Sequence, residues 1–141
     1  MLSAQDQYVL NEMMVLHGRA LAVYMTYAPP WDGTASHEGV DIIREIADSH
    51  LMYADEVGEM LLAGNVEIYY GEFPMAYTGY HDLSIDYMLQ KMVGSETATI
   101  DRLLTDIEQA ENDLVRALAE RSLGASQAHL QELEDFIASA T

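Results

Sequence analysis

The chain of 141 residues carries 24 acidic and six basic side chains, a formal net charge of −18, and half of its residues are hydrophobic. This length and composition predict one folded domain, residues 1–141, and exclude a disordered or low-complexity chain. Because cysteine is absent, disulfides, thiolate metal sites and cysteine nucleophiles are excluded as well.

The acidic excess limits the partners that the protein can have. A charge of −18 repels nucleic-acid phosphates and anionic membranes, so we expect neither nucleic acid nor a membrane as a partner. No apolar run approaches the ~18 residues that span a bilayer, and the N-terminus does not resemble a signal peptide, so we expect a cytoplasmic protein. Two interpretations of the acids remain open: a solvated surface suited to a salt-rich cytoplasm, or the handling of cations.

Helical periodicity predicts two helices in the first half of the chain. Apolar residues at alternating steps of four and three, beginning at Leu10, predict a helix from about Ala4 to Tyr27, and the prolines at 29 and 30 end it. A second apolar stripe predicts a helix from about Gly39 to Leu62, followed by Gly64-Asn65 as a C-terminal cap and turn.

A long connection precedes the two remaining helices. Residues 65–82 contain helix-breaking glycines and a proline, together with four of the nine tyrosines. At ~3.3 Å per residue this segment can cross the ~30–35 Å length of a bundle, and we expect at most a short extended piece in it, at 66–70. The third helix is predicted from about Leu83 to Ala110 and the fourth from Asn112 to Ala138, with a start at Gly124 as the alternative for the fourth.

The lengths of the connections predict how the helices are arranged. Short loops between helices 1 and 2 and between helices 3 and 4 make each pair antiparallel, while the long link lets helix 3 run parallel to helix 2. We therefore predict an all-α fold, a four-helix bundle with one long crossover connection between helices 2 and 3.

Four polar side chains interrupt the predicted apolar faces, one on each helix: His17, His50, Glu96 and His129. Each lies near the middle of its helix, so the four should converge at mid-bundle. Burial of a carboxylate is costly unless a cation or hydrogen-bond donors compensate it, and imidazole with carboxylate suits zinc, iron, manganese or copper. The four residues therefore predict either a metal site or a hydrogen-bonded polar layer.

Two further residues lie beside this set. Tyr53 lies one turn after His50, and Ser126 lies one turn before His129, so each could add an oxygen ligand or a hydrogen bond that orients a ligand. The alternative is that Tyr53 is an ordinary core residue and Ser126 is exposed.

Each of the four predicted helices contains a short motif of its own. They are Leu10-Asn11 followed by Tyr24; Tyr53-Ala54-Asp55 continuing through Glu59, Leu61, Leu62 and Gly64; Glu96 with Leu103 and Ile107; and His129-Leu130 with Leu133 and Glu134. Over roughly residues 5–138 these motifs resemble the ferritin-like proteins, nearest to the bacterioferritin branch. The resemblance implies a ferritin-like four-helix bundle that forms a homo-oligomer and oxidises and stores iron at a di-iron centre.

The residues at the family's ligand positions depart from its pattern. Di-iron proteins of this kind use one Glu from each of two helices and a Glu-x-x-His pair from each of the other two. The corresponding positions here are His17, His50-Leu51-Met52-Tyr53, Glu96, and Ser126-Gln127-Ala128-His129, or His129 with Glu132 if the fourth helix shifts by one turn. With so few carboxylates the set fits one divalent ion better than two ferric ions, which makes ferroxidase-type activity doubtful.

Three functions remain in competition. The first is a ferritin-like metal-binding protein that handles iron or another divalent metal such as zinc or manganese; the second is a metalloenzyme with a redesigned single-metal site; the third is a structural or interaction bundle that has lost the metal. No haem is expected, because Leu51 stands where bacterioferritins carry the haem-ligating methionine.

Apolar side chains surplus to one core, such as Met13, Tyr27 and Tyr80, favour a homo-oligomer in which salt or bound cations offset the repulsion between the acidic subunits.

Overall fold

This computed structural model describes residues 2–27, 37–80 and 83–139, and the regular structure in these ranges is entirely helical. The helices are α1 (Ala4–Gly18), α2 (Leu21–Tyr27), α3 (His37–Ala63), α4 (Ile85–Gln109) and α5 (Asp113–Ser139), with a short 3₁₀ helix at Met75–Gly79. No strand occurs in the described ranges, 66–70 included, so the prediction of an all-α protein is confirmed. None of the described helices is long and apolar enough to cross a membrane. The prolines at 29 and 30, which were predicted to end the first helix, lie outside the described residues.

The predicted first helix is two helices. Arg19, directly after α1, has φ −115° and ψ 24°, outside the helical region. The N–H of Ala20 donates to the carbonyl of His17 at 3.4 Å, and the Nε of Arg19 donates to the carbonyl of Gly71 at 3.0 Å. The prediction of one continuous helix was therefore wrong. The apolar periodicity continues through the break, whereas the contact of Arg19 with the connecting segment is a tertiary one.

The other helix boundaries agree with the predictions to within two residues. Ser84 caps α4 by accepting from the backbone N–H of Tyr87 at 3.2 Å. Asn112 caps α5 in the same way, accepting from the N–H of Leu114 at 2.7 Å. Because α5 is continuous through Gly124, the alternative start of the last helix at that glycine was wrong.

Two apolar clusters show how the helices run. The first joins the start of α1 to the end of α3, the end of α4 and the start of α5, through Val9, Leu10, Met13, Val57, Leu61, Leu103, Val115 and Leu118. The second joins α2 to the start of α3, the start of α4 and the end of α5, through Leu21, Val23, Ile43, Ile46, Ile85, Met88, Leu89 and Leu133. It follows that α3 runs antiparallel to α1 and α2, that α4 runs antiparallel to α5, and that α3 and α4 run parallel in this helical bundle.

Three apolar side chains were predicted to lie outside the core, and their burial tests this prediction. Met13 is fully buried in the first cluster, so the expectation that it faces a neighbouring molecule was wrong. Tyr27 is 70% exposed, which agrees with its assignment to the surface. Tyr80 is partly buried against the second cluster.

One buried carboxyl belongs to neither a cap nor an ion pair. Asp106 on α4 is 1% exposed, and neither of its carboxylate oxygens has a hydrogen-bond partner in the described part of the chain. Burial raises the pKa of Asp106 to about 6, an effect that the nearby Arg102 opposes. The folded protein therefore holds a proton at Asp106 under conditions in which the unfolded chain has released it.

We expect Asp106 to make the protein less stable as the pH rises from about 4 to about 6, because the folded state binds the extra proton over that interval. Asp106→Asn should remove this part of the pH dependence and raise the free energy of unfolding near neutral pH by ~1–3 kcal/mol. Urea unfolding at several pH values measures both effects. Asp101→Asn, at an exposed position on the same helix, is the control and should change stability by less than ~0.5 kcal/mol. Equal pH profiles for Asp106→Asn and the unsubstituted protein would contradict the assignment.

Candidate functional site

Buried polar side chains occupy the middle of the bundle, between the two apolar clusters. His17, His50 and Glu96 are 1%, 3% and 2% exposed, and Ser122 on α5 is fully buried. We call these four residues the polar layer. Each of the helices α1, α3, α4 and α5 contributes one of its members, so the layer crosses the bundle completely.

The members of the polar layer form one chain of hydrogen bonds. The Nε2 of His50 lies 2.9 Å and 3.2 Å from the two carboxylate oxygens of Glu96. The Nδ1 of His50 lies 2.9 Å from the Nδ1 of His17, and the Nε2 of His17 lies 2.6 Å from the Oγ of Ser122. Every ring nitrogen of the two histidines therefore has a partner within the layer.

The charge of Glu96 sets the direction of this chain. With Glu96 ionised and both imidazoles neutral, the hydroxyl of Ser122 donates to His17, His17 donates to His50, and His50 donates to the carboxylate. Protonation of Glu96 would reverse all three bonds. Burial, reinforced by the neighbouring His50, holds the pKa of His17 well below its ordinary value, so His17 is a neutral imidazole in the folded protein.

His129 lies beside the polar layer without joining its hydrogen bonds. Its ring centre is 6.4 Å from that of His50, and its Nε2 is buried without a hydrogen-bond partner among the described residues. Burial lowers the pKa of His129; the carboxylates of Glu96 and Glu45 act in the opposite direction, and His50 adds to the lowering. His129 is therefore a neutral imidazole with a free lone pair or an unsatisfied N–H.

A pair of carboxyl groups lies next to His129. Glu132, one turn further along α5, has an Oε1 that is buried without a hydrogen-bond partner in the described ranges. Burial raises the pKa of Glu132, and the neighbouring carboxylate of Glu45 raises it further. A cation bound beside the two carboxylates would reduce their mutual repulsion.

The two additional candidates, Tyr53 and Ser126, take structural positions. The ring of Tyr53 packs against His17 with centroids 5.7 Å apart, and its hydroxyl donates to the backbone carbonyl of Arg121 at 3.3 Å. Ser126 is buried rather than exposed. Neither side chain is part of the hydrogen-bonded chain.

The four predicted ligands do not form one cluster: His129 lies apart from His17, His50 and Glu96. His17, His50 and Glu96 are brought together, but His50 directs its two nitrogens to opposite partners, so the three side chains do not converge on one point. No group of three His, Asp or Glu side chains within residues 2–27, 37–80 and 83–139 is arranged to share an ion. The full set with His129 as a fourth ligand therefore does not fit a single metal ion in this arrangement.

Sequence reasoning missed two residues of this region, Ser122 and Glu45. Ser122 continues the buried stripe of α5 from Leu118 through Ser126 to His129, so extending the helical periodicity would have found it. Glu45 is exposed on α3 and reaches Glu132 only through the packing of α3 near α5. No signal in the sequence identifies that contact.

Comparisons with known proteins support the fold and give no function. No protein-family model matches the sequence, and no curated protein matches it. The chain is similar in structure to a conserved hypothetical protein, rv2844, from Mycobacterium tuberculosis, solved by crystallography. The two share 16% sequence identity with a TM-score of 0.74 over 96% of this chain and 92% of the mycobacterial one.

We expect His17 to make the metal-free protein less stable below about pH 6.5, because the unfolded chain takes up a proton there that the folded protein refuses. His17→Gln should therefore lose less stability between about pH 8 and pH 5 than the unsubstituted protein does. Ser122→Ala is the matched control, since it removes a hydrogen bond to the same ring and should lower stability by ~1 kcal/mol at every pH. Urea unfolding in the presence of a chelator measures both, and parallel pH profiles for His17→Gln and the unsubstituted protein would show that His17 is not held neutral.

Proposed function

We propose that this chain is a ferritin-like helical-bundle protein that binds one divalent metal ion, such as iron, zinc or manganese, beside the polar layer. The observation that supports this proposal is a pair of buried ligand atoms without hydrogen-bond partners among the described residues, the Nε2 of His129 and the Oε1 of Glu132. A buried polar atom without a partner costs ~1–3 kcal/mol. One cation bound by both atoms would remove both costs.

The course of the helices supports the ferritin-like part of the proposal. If α1 and α2 count as one interrupted bundle helix, the described ranges contain four bundle helices, and α3 and α4 run parallel. The long crossover, of which the structure describes residues 64–80 and 83–84, then joins opposite ends of the bundle. One crossover of this kind is the topology of ferritin-like bundles, and the likeness to the mycobacterial protein supports the fold alone.

The proposed ligands come mainly from α5. His129 and Glu132 are three residues apart, so they lie on the same side of the helix. The charges of Glu96 and Glu45 act on His129. No three such side chains among the described residues are arranged to share an ion, so a carboxylate from Glu45 or Glu96 on a second helix would have to turn toward His129 and Glu132. One imidazole with two carboxylates suits divalent iron, zinc or manganese. The hydrogen bonds of the polar layer, from Ser122 through the two histidines, would hold Glu96 in position, and the polar layer would not supply three ligands.

The raised pKa of Glu132 predicts how metal binding depends on pH. A metal ion would displace the proton of Glu132 and would require His129 to be neutral, so affinity should fall as the pH falls. The ion would supply neutralising charge and an electrophilic centre. The residues themselves orient it and keep it between α3, α4 and α5.

Metal analysis tests this proposal. Untagged protein purified without a chelator, or titrated with Fe(II), Zn(II) or Mn(II), should bind about one ion per chain by calorimetry and elemental analysis. His129→Ala and Glu132→Gln should each weaken binding ~10–100-fold, whereas Glu134→Gln, at an exposed position on the same helix, should leave it unchanged. Absence of binding in the unsubstituted protein, or equal affinity in all variants, would reject the metal function.

A structural or interaction bundle without metal is the second candidate, because the hydrogen-bonded chain of the polar layer is complete without an ion. In that case His129 and Glu132 contribute only an unfavourable burial of polar atoms. The double variant His129→Leu, Glu132→Leu should then be at least as stable as the unsubstituted protein. A bound metal that raises the stability of the unsubstituted protein alone would exclude this candidate.

We further propose that the protein forms a homo-oligomer through the face where α3 meets the crossover. Tyr27, Leu62 and Tyr70 are 70%, 65% and 58% exposed and line the same cavity of about 430 Å³. Exposed apolar side chains gathered in one place favour association with a second copy. The charge of −18 would oppose it at low ionic strength.

Light scattering at low and high salt tests this assembly. The protein should be at least a dimer at high salt and should dissociate or loosen at low salt, because salt screens the repulsion between acidic subunits. Leu62→Ser should favour the monomer. Leu114→Ser, at a position on α5 that is 70% exposed, should have no effect. A monomer at both salt concentrations would contradict the proposal.

A further inference from the structure

A second cavity, which shares Arg19 with the first, lies between the junction of α1 and α2, the crossover segment and α4. Its volume is about 430 Å³, within the range of small-molecule sites. It is lined by Glu72, Pro74, Tyr77 and Tyr80 of the crossover and by Arg19, Lys91, Ser95 and Thr99. No residue of the polar layer lines it, and neither do His129 and Glu132.

The distribution of basic residues singles out this cavity. Four of the six basic side chains form ion pairs with carboxylates: Arg44 with Asp41, Arg102 with Glu12, Arg116 with Asp113, and Arg121 with Glu56. The other two, Arg19 and Lys91, make no ion pair with a carboxylate in the part of the chain that the structure describes. Both line this cavity. In a chain with 24 acids and six bases, this cavity therefore contains the two basic side chains that have no carboxylate partner among the described residues.

Neutral groups hold both cations in place. The Nε of Arg19 donates to the carbonyl of Gly71, and the guanidinium carbon lies 4.9 Å from the ring centre of Phe73. The ammonium group of Lys91 lies 5.7 Å and 5.5 Å from the ring centres of Tyr80 and Tyr87. Ring faces attract a cation without neutralising its charge. The terminal nitrogens of Arg19 and the ammonium of Lys91 therefore remain able to bind an anion.

Hydroxyl groups complete the polar part of the lining. No hydrogen bond joins the hydroxyl of Ser95 or Thr99 to another described residue. Burial, with the neighbouring Tyr80, raises the pKa of Tyr77, so its hydroxyl is a neutral donor. The remaining lining is largely apolar, with Val15, Leu16, Leu21, Pro74 and Ala98. A ligand that fits this lining has a charged end and an apolar body.

We propose that this cavity binds a small organic monoanion, a carboxylate on an apolar or aromatic body, with its charge between Arg19 and Lys91. Arg102 also lines the cavity, but its charge is neutralised by the ion pair with Glu12. Glu72 offsets one of the two unpaired cations. The lining therefore favours one negative charge over two.

This assignment gives the crossover a role in binding, since the segment provides part of the lining of the site. Long connections inside compact domains usually have such a functional reason. The site is independent of the proposed metal function, because it shares no ligand with it.

Calorimetric titration of the full chain with 1-naphthoate, in chelator and near-physiological salt, tests the proposal. Naphthoate should bind with a Kd below ~1 mM, and the neutral 1-naphthamide, of the same shape, at least ~10-fold more weakly. Lys91→Gln should weaken naphthoate binding ~5-fold or more. Arg44→Gln is the matched control, because it removes the same charge at an exposed position outside the cavity, and it should change the Kd by less than ~2-fold.

Nuclear magnetic resonance locates the site in the same samples. Naphthoate should shift the backbone amide signals of 71–80 and of 91–99 in the unsubstituted protein, and circular dichroism should show that both variants are folded. Equal binding of naphthoate and naphthamide, or equal weakening by Lys91→Gln and Arg44→Gln, would overturn the proposal, as would the absence of saturable binding. Tighter binding of 1-naphthyl phosphate than of naphthoate would overturn the preference for a monoanion.

Discussion

The bundle depends on how it accommodates a carboxylate at its centre. Glu96 is almost completely buried, and a buried carboxylate is tolerated only with donors or a counter-ion. The donors come through His50 and His17 to Ser122, so one chain of hydrogen bonds crosses α1, α3, α4 and α5. Sliding any of these helices by one turn would leave at least one buried polar group without a partner. The polar layer therefore sets the relative heights of the helices more strictly than the apolar clusters do.

A second constraint comes from the close approach of the crossover to α1. Gly71 has φ +70°, and a Cβ at this position would lie 2.9 Å from the side chain of Val15, so only glycine fits here without strain. The carbonyl of Gly71 accepts from Arg19 at the point where α1 ends. The interruption between α1 and α2 and the lining of the proposed anion-binding cavity by Arg19 thus both lie where the crossover docks on the bundle.

The two proposed sites reflect different uses of charge in an acidic chain. At α5, His129 and Glu132 lie near Glu45 of α3, and a bound cation would neutralise the carboxylates and provide a partner for the buried atoms. In the cavity under the crossover, two of the few basic groups are left without carboxylate partners. A uniformly solvated acidic surface would show neither feature. Both arise where the backbone brings distant segments together, at the meeting of α3 with α5 and of the crossover with α4.

The sequence alone determined the all-α class, the bounds of α3, α4 and α5, and the burial of His17, His50 and Glu96, because helical periodicity records which face of a helix is apolar and how far along it a residue lies. Only the tertiary structure decided which way the side chains turn. His50 directs one nitrogen to His17 and the other to Glu96, His129 is left aside, and Glu45 reaches Glu132. At the break after α1, Arg19 likewise donates a hydrogen bond to a residue 52 positions away, Gly71. Periodicity carries no information on rotamers or on contacts between distant segments, since both follow from packing and hydrogen bonding across helices.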